Sequence, residues 1–184
     1  MTERTVQIAV LVGSLRKASI NRELAQVAID NAPAGVTVRI VDGLAALPFY
    51  NEDDDQGAVH QGVATVRDEI AAADAVLLVT PEYNGTLPAV LKNAIDWLSR
   101  PYGAGAMTGK PVGVIGAALG QYAGTWSRQD TRKSVGIAGG RVIEDVEVGI
   151  ATATLGEHGV SDPAVVEQVV AAVERLVSEV AVAA

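Results

Sequence analysis

The sequence predicts an α/β protein in which a doubly wound, five-stranded parallel sheet carries helices on both faces. Five short strand-like segments alternate with stretches whose apolar residues recur at helical spacing, which is typical of parallel strands joined by helices. Short crossovers leave few arrangements, and we favour the strand order 2-1-3-4-5 because it places the loops after strands one and three side by side. Neither a repeat nor a linker interrupts the 184 residues, so we expect one domain over residues 1–184.

The predicted strands are short and mostly apolar. They cover Ile8–Val12, Val36–Ile40, Ala75–Val79, Pro111–Gly116 and Arg141–Val148. A continuous apolar run such as Ala75–Val79 is typical of a strand that is buried on both faces. Val36–Ile40 instead alternates apolar and polar residues, which favours a position nearer the edge of the sheet.

Helices are predicted between and after the strands. The first begins at Asn21 and ends before Pro33. The second has an apolar stripe formed by Val59, Val63, Val66 and Ile70. The third begins at Pro88, with an inward face of Val90, Leu91, Ala94, Ile95 and Leu98 and an opposite face of Lys92, Asn93, Asp96 and Ser99. The fourth, Thr125–Val135, is polar, and the fifth begins with Asp162 as N-cap before Pro163.

Composition restricts the classes of partner. The formal charge of −8 argues against a nucleic acid, because nucleic-acid binding depends on Lys and Arg contacts to phosphate. The absence of cysteine excludes disulfides, thiolate metal ligands and a cysteine nucleophile, and His60 and His158 lie far apart, so we expect no metal site. The sequence has neither a signal-peptide pattern nor a run of about 18 apolar residues. We therefore expect a cytoplasmic protein without a nucleic-acid or membrane partner.

The first loop, residues 13–21, has the features of a phosphate site. It leads into a helix N-terminus, where free N–H groups and the helix dipole favour an anion. Ser14, Ser19 and Asn21 add short donors, and Arg16 can pair a phosphate through two hydrogen bonds. Neither the P-loop motif nor the dinucleotide-binding glycine motif is present. The alternative is an ordinary loop in which Ser and Asn only cap the helix.

The second loop, residues 81–87, suits a flat ring. Asn84 and Gly85 form a dipeptide that favours positive φ angles, and Gly85 allows a ring to approach the backbone closely. The N–H and C=O groups of this loop are then available to the polar edge of such a ring. Tyr83 and Glu82 also have simpler interpretations, as a surface aromatic residue and as a solvated or ion-paired acid.

Together the two loops resemble those of the NAD(P)H-dependent FMN reductases, a flavodoxin-like group that includes bacterial quinone, chromate and azo-dye reductases. The resemblance is carried by Gly13-Ser14-Leu15-Arg16, Ser19 and Asn21, and by Pro81-Glu82-Tyr83-Asn84-Gly85 with the following helix up to Arg100. It implies a phosphate of FMN held by Ser14, Arg16, Ser19 and Asn21, and an isoalloxazine ring lined by Pro81, Glu82, Tyr83, Asn84 and Gly85. The third loop, residues 117–124, would close over the ring, and it has Ala118 where many members have Ser.

The resemblance also implies an activity. Hydride passes from NADPH or NADH through bound FMN to a small-molecule acceptor such as a quinone, an azo compound or chromate, in a ping-pong scheme. The flavin itself carries this chemistry, so no catalytic side chain is expected. Members form homodimers or homotetramers with the flavin near an interface, and Tyr83, Trp97 and Arg100 are candidates for such contacts.

Two alternatives stay open from the sequence. The first is a flavodoxin-like electron carrier that binds FMN without nicotinamide activity. The second is an interaction domain that has lost the flavin, for which Ala118 is the hint. Arg128, Arg132 and Lys133 also have two interpretations, either attraction of the additional phosphate of NADPH or a solvated helix face.

Overall fold

Five parallel strands form one sheet in the computed structural model, which describes residues 5–183. The strands are β1 Val6–Val12, β2 Val36–Ile40, β3 Ala75–Val79, β4 Pro111–Ala118 and β5 Arg141–Ala151. Their order is β2-β1-β3-β4-β5, which confirms the predicted order. Relative to the prediction, β4 continues to Ala118 and β5 to Ala151, and these two extensions pair with each other.

Within the described residues, five α-helices connect and follow the strands. They are α1 Ile20–Asp30, α2 Gln61–Ala72, α3 Ala89–Leu98, α4 Thr125–Ile137 and α5 Pro163–Ala183. Asp162 caps α5 as predicted, because its side chain accepts a hydrogen bond from the N–H of Ala164 at 2.9 Å. Within residues 5–183 no helix is both long enough and apolar enough to cross a membrane.

The sheet is covered on both faces, as the apolar strands predict. One face packs against α1 and α5, and its core includes Ile8, Val10, Leu77 and Leu176. The other face packs against α2, α3 and α4, and its core includes Leu11, Leu78, Leu91 and Trp97. Successive residues of β1 and β3 alternate between the two cores, which explains why these strands are apolar throughout.

The prediction that one face of α3 is polar is partly wrong. Asn93 is only 8% exposed, and its side chain accepts a hydrogen bond from the N–H of Tyr50 and donates one to the carbonyl of Pro48. Trp97 is 1% exposed, and its Nε1 donates to the same Pro48 carbonyl at 2.8 Å. Both side chains attach the connection after β2 to the core, so Trp97 is removed from the predicted subunit contacts.

Candidate functional site

The three predicted loops begin side by side at the edge of the sheet that is formed by the carboxyl ends of the strands. Val12 at the end of β1 pairs with Val79 at the end of β3. Just beyond, the N–H of Gly13 donates to the carbonyl of Val79, and the N–H of Thr80 donates to the carbonyl of Ile115 in β4, each at 2.9 Å. In a parallel sheet this edge, outside the carboxyl ends of the strands, is where ligands bind.

Gly13 brings the first and second loops into direct contact. A Cβ atom at this position would lie 2.9 Å from Cγ of Pro88 and 3.2 Å from Cδ of Pro81. Such distances are shorter than ordinary packing allows, so only glycine fits without a shift of the two proline rings. The first loop therefore leaves β1 against the start of the second loop.

The first loop presents free polar groups at the N-terminus of α1. Within residues 5–183, the N–H groups of residues 14–17 have no hydrogen-bond acceptor, and neither Arg16 nor Lys17 forms an ion pair. Both cations are exposed, whereas Ser14 is buried beneath them. Free amides, a helix dipole and unpaired cations at one place fit an anion such as a phosphate.

Ser19 and Asn21 are held more firmly than a phosphate-binding role alone requires. Ser19 is the N-cap of α1, and its hydroxyl accepts from the N–H of Arg22 at 3.3 Å while its own proton can still be donated. The side-chain amide of Asn21 is buried, donating to the carbonyl of Ala117 at 2.9 Å and accepting from its N–H at 2.8 Å. Asn21 thus joins α1 to β4, and only its backbone N–H stays available to a ligand.

A cavity of about 390 Å³ lies next to the first loop, on the side of β2. Ser14, Arg16 and Lys17 form one wall, and Asp42 lies opposite. Arg22 and Asp42 form an exposed ion pair at 3.5 Å on its rim. The first loop is therefore open to ligands from the β2 side as well as from the second loop.

The second loop is a tight turn, as Asn84 and Gly85 predict. Their φ angles are 51° and 75°, and the backbones of Tyr83 and Thr86 exchange two hydrogen bonds of 3.1 and 3.2 Å around them. Positive φ at both central residues is the signature of a type I′ turn, which Asn-Gly favours. The turn fixes its backbone groups in space while leaving Tyr83, Asn84 and Gly85 exposed.

Helix α4 clamps the second loop from behind. The Ser127 hydroxyl donates to the carbonyl of Pro81 at 2.7 Å and lies 2.7 Å from the Thr80 hydroxyl, while its N–H donates to Oε2 of Glu82 at 3.1 Å. Further along, Thr86 donates to Oδ2 of Asp130 at 2.6 Å. Glu82 is therefore a helix-capping acid, and its carboxylate is occupied by the N-terminus of α4.

Sequence reasoning missed Ser127 and Thr80, both fully buried. The sequence does contain one indication of Ser127, because its helix has too few apolar residues to form an ordinary apolar face. Its partner at Pro81 lies 46 residues away, and such a pairing is not visible in local spacing.

The third loop exposes apolar side chains beside the second. Ala118 ends β4, and after it Leu119 is 76% exposed. Tyr122 and Trp126 are also exposed, with ring centroids 5.1 Å apart. Exposed apolar groups next to fixed polar backbone groups suit a flat, partly apolar ligand.

Both interpretations of Arg128 and Arg132 are wrong. The two side chains are buried, 5% and 8% exposed, so they belong neither to a solvated helix face nor to a surface that attracts a phosphate. Arg132 donates to the carbonyls of Val114 and Val146, and both arginines approach Glu147. Lys133 alone is exposed.

Known proteins resemble this chain in sequence and in overall fold. A sequence profile of the NADPH-dependent FMN reductases matches residues 6–155. A quinone reductase of Pseudomonas putida is 45% identical over 128 residues, which cover 70% of this chain and 68% of that protein. The flavoenzyme FerB, an NAD(P)H:(acceptor) oxidoreductase from Paracoccus denitrificans, superposes with a TM-score of 0.83 and 32% identity, covering 95% of this chain and 97% of its own.

A more distant comparison concerns the fold alone. A flavodoxin variant from Pseudomonas aeruginosa superposes with a TM-score of 0.60 and 21% identity, covering 92% of this chain and 99% of its own. The five-stranded sheet with helices on both faces is therefore flavodoxin-like, as predicted.

Proposed function

We propose that this protein delivers electrons to a small quinone. The chain belongs to the NADPH-dependent FMN reductase family and is an NAD(P)H-dependent flavin oxidoreductase. The FMN on which this depends would lie across the first and second loops. The observation that carries the proposal is the juxtaposition of an anion site and a rigid backbone turn at the β1–β3 boundary.

The first loop would hold the phosphate. The free N–H groups of residues 14–17 and the side chain of Arg16 surround the N-terminus of α1. The hydroxyls of Ser14 and Ser19 add donors, whereas Asn21 contributes through its backbone and by tying α1 to β4. This site suits one phosphate group, because the glycine motif that binds a dinucleotide pyrophosphate is absent.

The second loop would orient the ring. Pro81 and Glu82 are fixed by α4, and the backbone of Tyr83 is bonded to Thr86 across the turn. Within residues 5–183 the backbone groups of Asn84 and Gly85 have no partner, and they would face the polar edge of the ring. When bound, FMN supplies the redox chemistry, taking hydride from NAD(P)H and giving it to the acceptor. The protein therefore needs to bind, orient and shield, and no side chain has to move a proton.

One open side of the site would serve both substrates. Tyr83, Leu119 and Tyr122 are exposed around it, and they suit the flat faces of a nicotinamide or a quinone. NAD(P)H and the acceptor would bind there in turn, which is a ping-pong scheme. A quinone is favoured over an azo compound or chromate because a relative that is 45% identical is a quinone reductase. NADPH and NADH both remain candidates for the donor.

We propose further that the protein acts in the cytoplasm as a homodimer or homotetramer. Tyr83 and Arg100 remain candidate contacts, since both side chains reach the surface. Light scattering of the purified protein with and without FMN measures the assembly directly.

Purified protein tests the function in three steps. Titration of the apoprotein with FMN is expected to give saturable binding. Anaerobic addition of NADPH or NADH should then bleach the bound flavin. Addition of benzoquinone should restore the colour, with parallel lines in double-reciprocal plots, and an azo dye and chromate serve as competing acceptors.

Each step can contradict the proposal differently. A folded protein that takes up no FMN would be an interaction domain. A yellow protein that neither nucleotide bleaches would be an electron carrier. Faster reduction of an azo dye or chromate than of any quinone would overturn the choice of acceptor alone.

A further inference from the structure

A buried guanidinium lies directly behind the second and third loops. Arg128 is 5% exposed and its Nη1 donates to the carbonyl of Ala123 in the third loop. A Cβ atom on Gly124 would lie 3.9 Å from that Nη1, 3.4 Å from Cβ of Ala118 and 3.8 Å from Cβ of Glu82. The positive charge is thus close to two residues of the proposed flavin site.

The guanidinium lies where β5 has a glycine, Gly149, instead of a residue with a side chain. A Cβ atom on Gly149 would lie 2.5 Å from Cζ and 2.6 Å from Nη2 of Arg128. Glycine inside a strand weakens it and often marks a place where another group approaches closely. Gly149 therefore provides the space in which the guanidinium lies against the sheet.

The charge of Arg128 is only partly matched. Arg128 and Arg132 share one oxygen of Glu147, at 3.4 and 3.5 Å, and that carboxylate is half exposed. Within the part of the chain that the structure describes, Nε of Arg128 has no hydrogen-bond partner. The nearby carboxylate of Glu82 is engaged by the N–H of Ser127.

Burial lowers the pKa of the Arg128 guanidinium from its ordinary value, and Glu147 opposes this effect. An arginine still keeps its proton in a folded protein. Because a buried charge is weakly screened, it acts over a longer distance than a surface charge.

We infer that Arg128 is a positioning residue that holds the third loop and raises the reduction potential of bound FMN. The inference rests on the proposed function. Hydride from NAD(P)H brings two electrons and one proton to a neutral ring, so the ring gains one negative charge. A fixed positive charge behind the site favours that charged, reduced form over the oxidised one.

The test compares Arg128→Met with Arg132→Met, because both substitutions remove a buried cation near Glu147 from the same helix. Arg132 lies one turn further along α4, where it bonds to carbonyls within β4 and β5. The midpoint potential of bound FMN and the affinities for oxidised and reduced FMN are measured for each. We expect Arg128→Met to lower the preference for reduced FMN about tenfold, or about 30 mV for a two-electron couple. Arg132→Met should change the preference for reduced FMN less than threefold.

Two more variants cover a possible loss of folding in Arg128→Met. Arg128→Lys keeps the charge with a shorter reach, and Gly149→Ala keeps the charge but displaces the guanidinium. Both are expected to lower the potential in part while retaining the circular dichroism of the wild type. Unchanged potentials in these folded variants would overturn the inference, as would equal shifts in Arg128→Met and Arg132→Met. Failure of the wild type to bind FMN would instead overturn the proposed function.

Discussion

The first and second loops lie in contact at the same sheet edge, but the chain holds them in opposite ways. Arg16, Lys17 and the amides around them have no partner within residues 5–183. In the second loop, by contrast, Pro81, Glu82 and Thr86 are all bonded to α4. The first loop therefore keeps its polar groups for a ligand, whereas the second uses them to fix its own shape.

We therefore expect the first loop to determine the affinity for FMN and the second loop to determine the orientation of its ring. Free charged donors gain most when an anion arrives, because each new hydrogen bond replaces only water. A loop that is already rigid loses little conformational entropy on binding and presents the ring in one geometry. We expect substitutions in the first loop to change how tightly FMN binds, and substitutions behind the second to change how it is placed.

The substitution with the largest expected effect disturbs both loops together. In Gly13→Ala the new methyl group would lie 2.9 Å from the Pro88 ring, which cannot move aside without shifting α3. Overpacking of this kind costs about 1–3 kcal/mol, and FMN affinity should fall by more than in any variant below. Thermal unfolding and FMN titration measure the two effects. The matched control is Gly156→Ala, where a Cβ atom meets open space. Equal losses in both variants would contradict the close approach.

Removal of the clamp should disturb the second loop alone. Ser127→Ala leaves the Pro81 carbonyl and the Thr80 hydroxyl with one partner fewer in a buried position. We expect a loss of about 1–3 kcal/mol in the free energy of unfolding. The rate of flavin reduction by NAD(P)H should fall, because the ring is less firmly placed.

The control for the clamp is Ser134→Ala, on the same helix but two turns further from the loop. Chemical denaturation and stopped-flow reduction are measured for both variants. If Ser127→Ala retained the wild-type reduction rate in spite of its lower stability, the Ser127 hydroxyl would have no role in placing the ring.

Loss of the Arg16 cation should affect only the role proposed for the first loop, which is binding of the FMN phosphate. Arg16→Gln would remove the charge-assisted contact that we propose between Arg16 and the FMN phosphate. Such a contact is worth about 1.5–3 kcal/mol, so FMN should bind at least roughly tenfold more weakly. Riboflavin has no phosphate, and its affinity is expected to stay the same. Lys17→Gln on the same exposed loop is the control, with a smaller effect expected. A parallel loss of riboflavin affinity in Arg16→Gln would place Arg16 near the ring instead of the phosphate.

The smallest expected effect lies far from both loops. The pKa of Glu179 on α5 is held below its usual range by hydrogen bonds from Arg141 and then Arg175. A carboxylate with a depressed pKa contributes stability above its unfolded pKa, and this contribution is lost as the pH falls through the folded pKa. Glu179→Gln should therefore lower Tm slightly at neutral pH, and the difference should vanish in acid. FMN affinity is expected to be unchanged, and any loss would mean that the loops respond to stability in general.

Local patterns were sufficient for much of the site. Apolar runs and alternating segments located all five strands, and the strand order followed from topology. Asn84 and Gly85 form the predicted positive-φ turn, and Ser19 caps the predicted helix. In each case a residue's own backbone preference, or a neighbour within a few positions, determines the structure.

Side chains whose partners are distant in sequence were beyond such reasoning. Asn21 bonds Ala117, 96 residues away, and Asn93 bonds Pro48 and Tyr50 although its helical position is typical of a polar face. Arg132 follows the same rule, because β4 and β5 supply the carbonyls that accompany its burial. Arg128 likewise approaches Glu147 in β5, 19 residues away.

The amino-acid sequence by itself determined the order of the strands, the place of the first and second loops and the turn at Asn84. Only the tertiary structure decided that the first loop stays open while α4 clamps the second, and that a buried guanidinium lies behind the second and third loops. The physical reason is that backbone preference and apolar periodicity act over a few residues. The pairing of buried polar groups depends on which distant segments the folded sheet brings together.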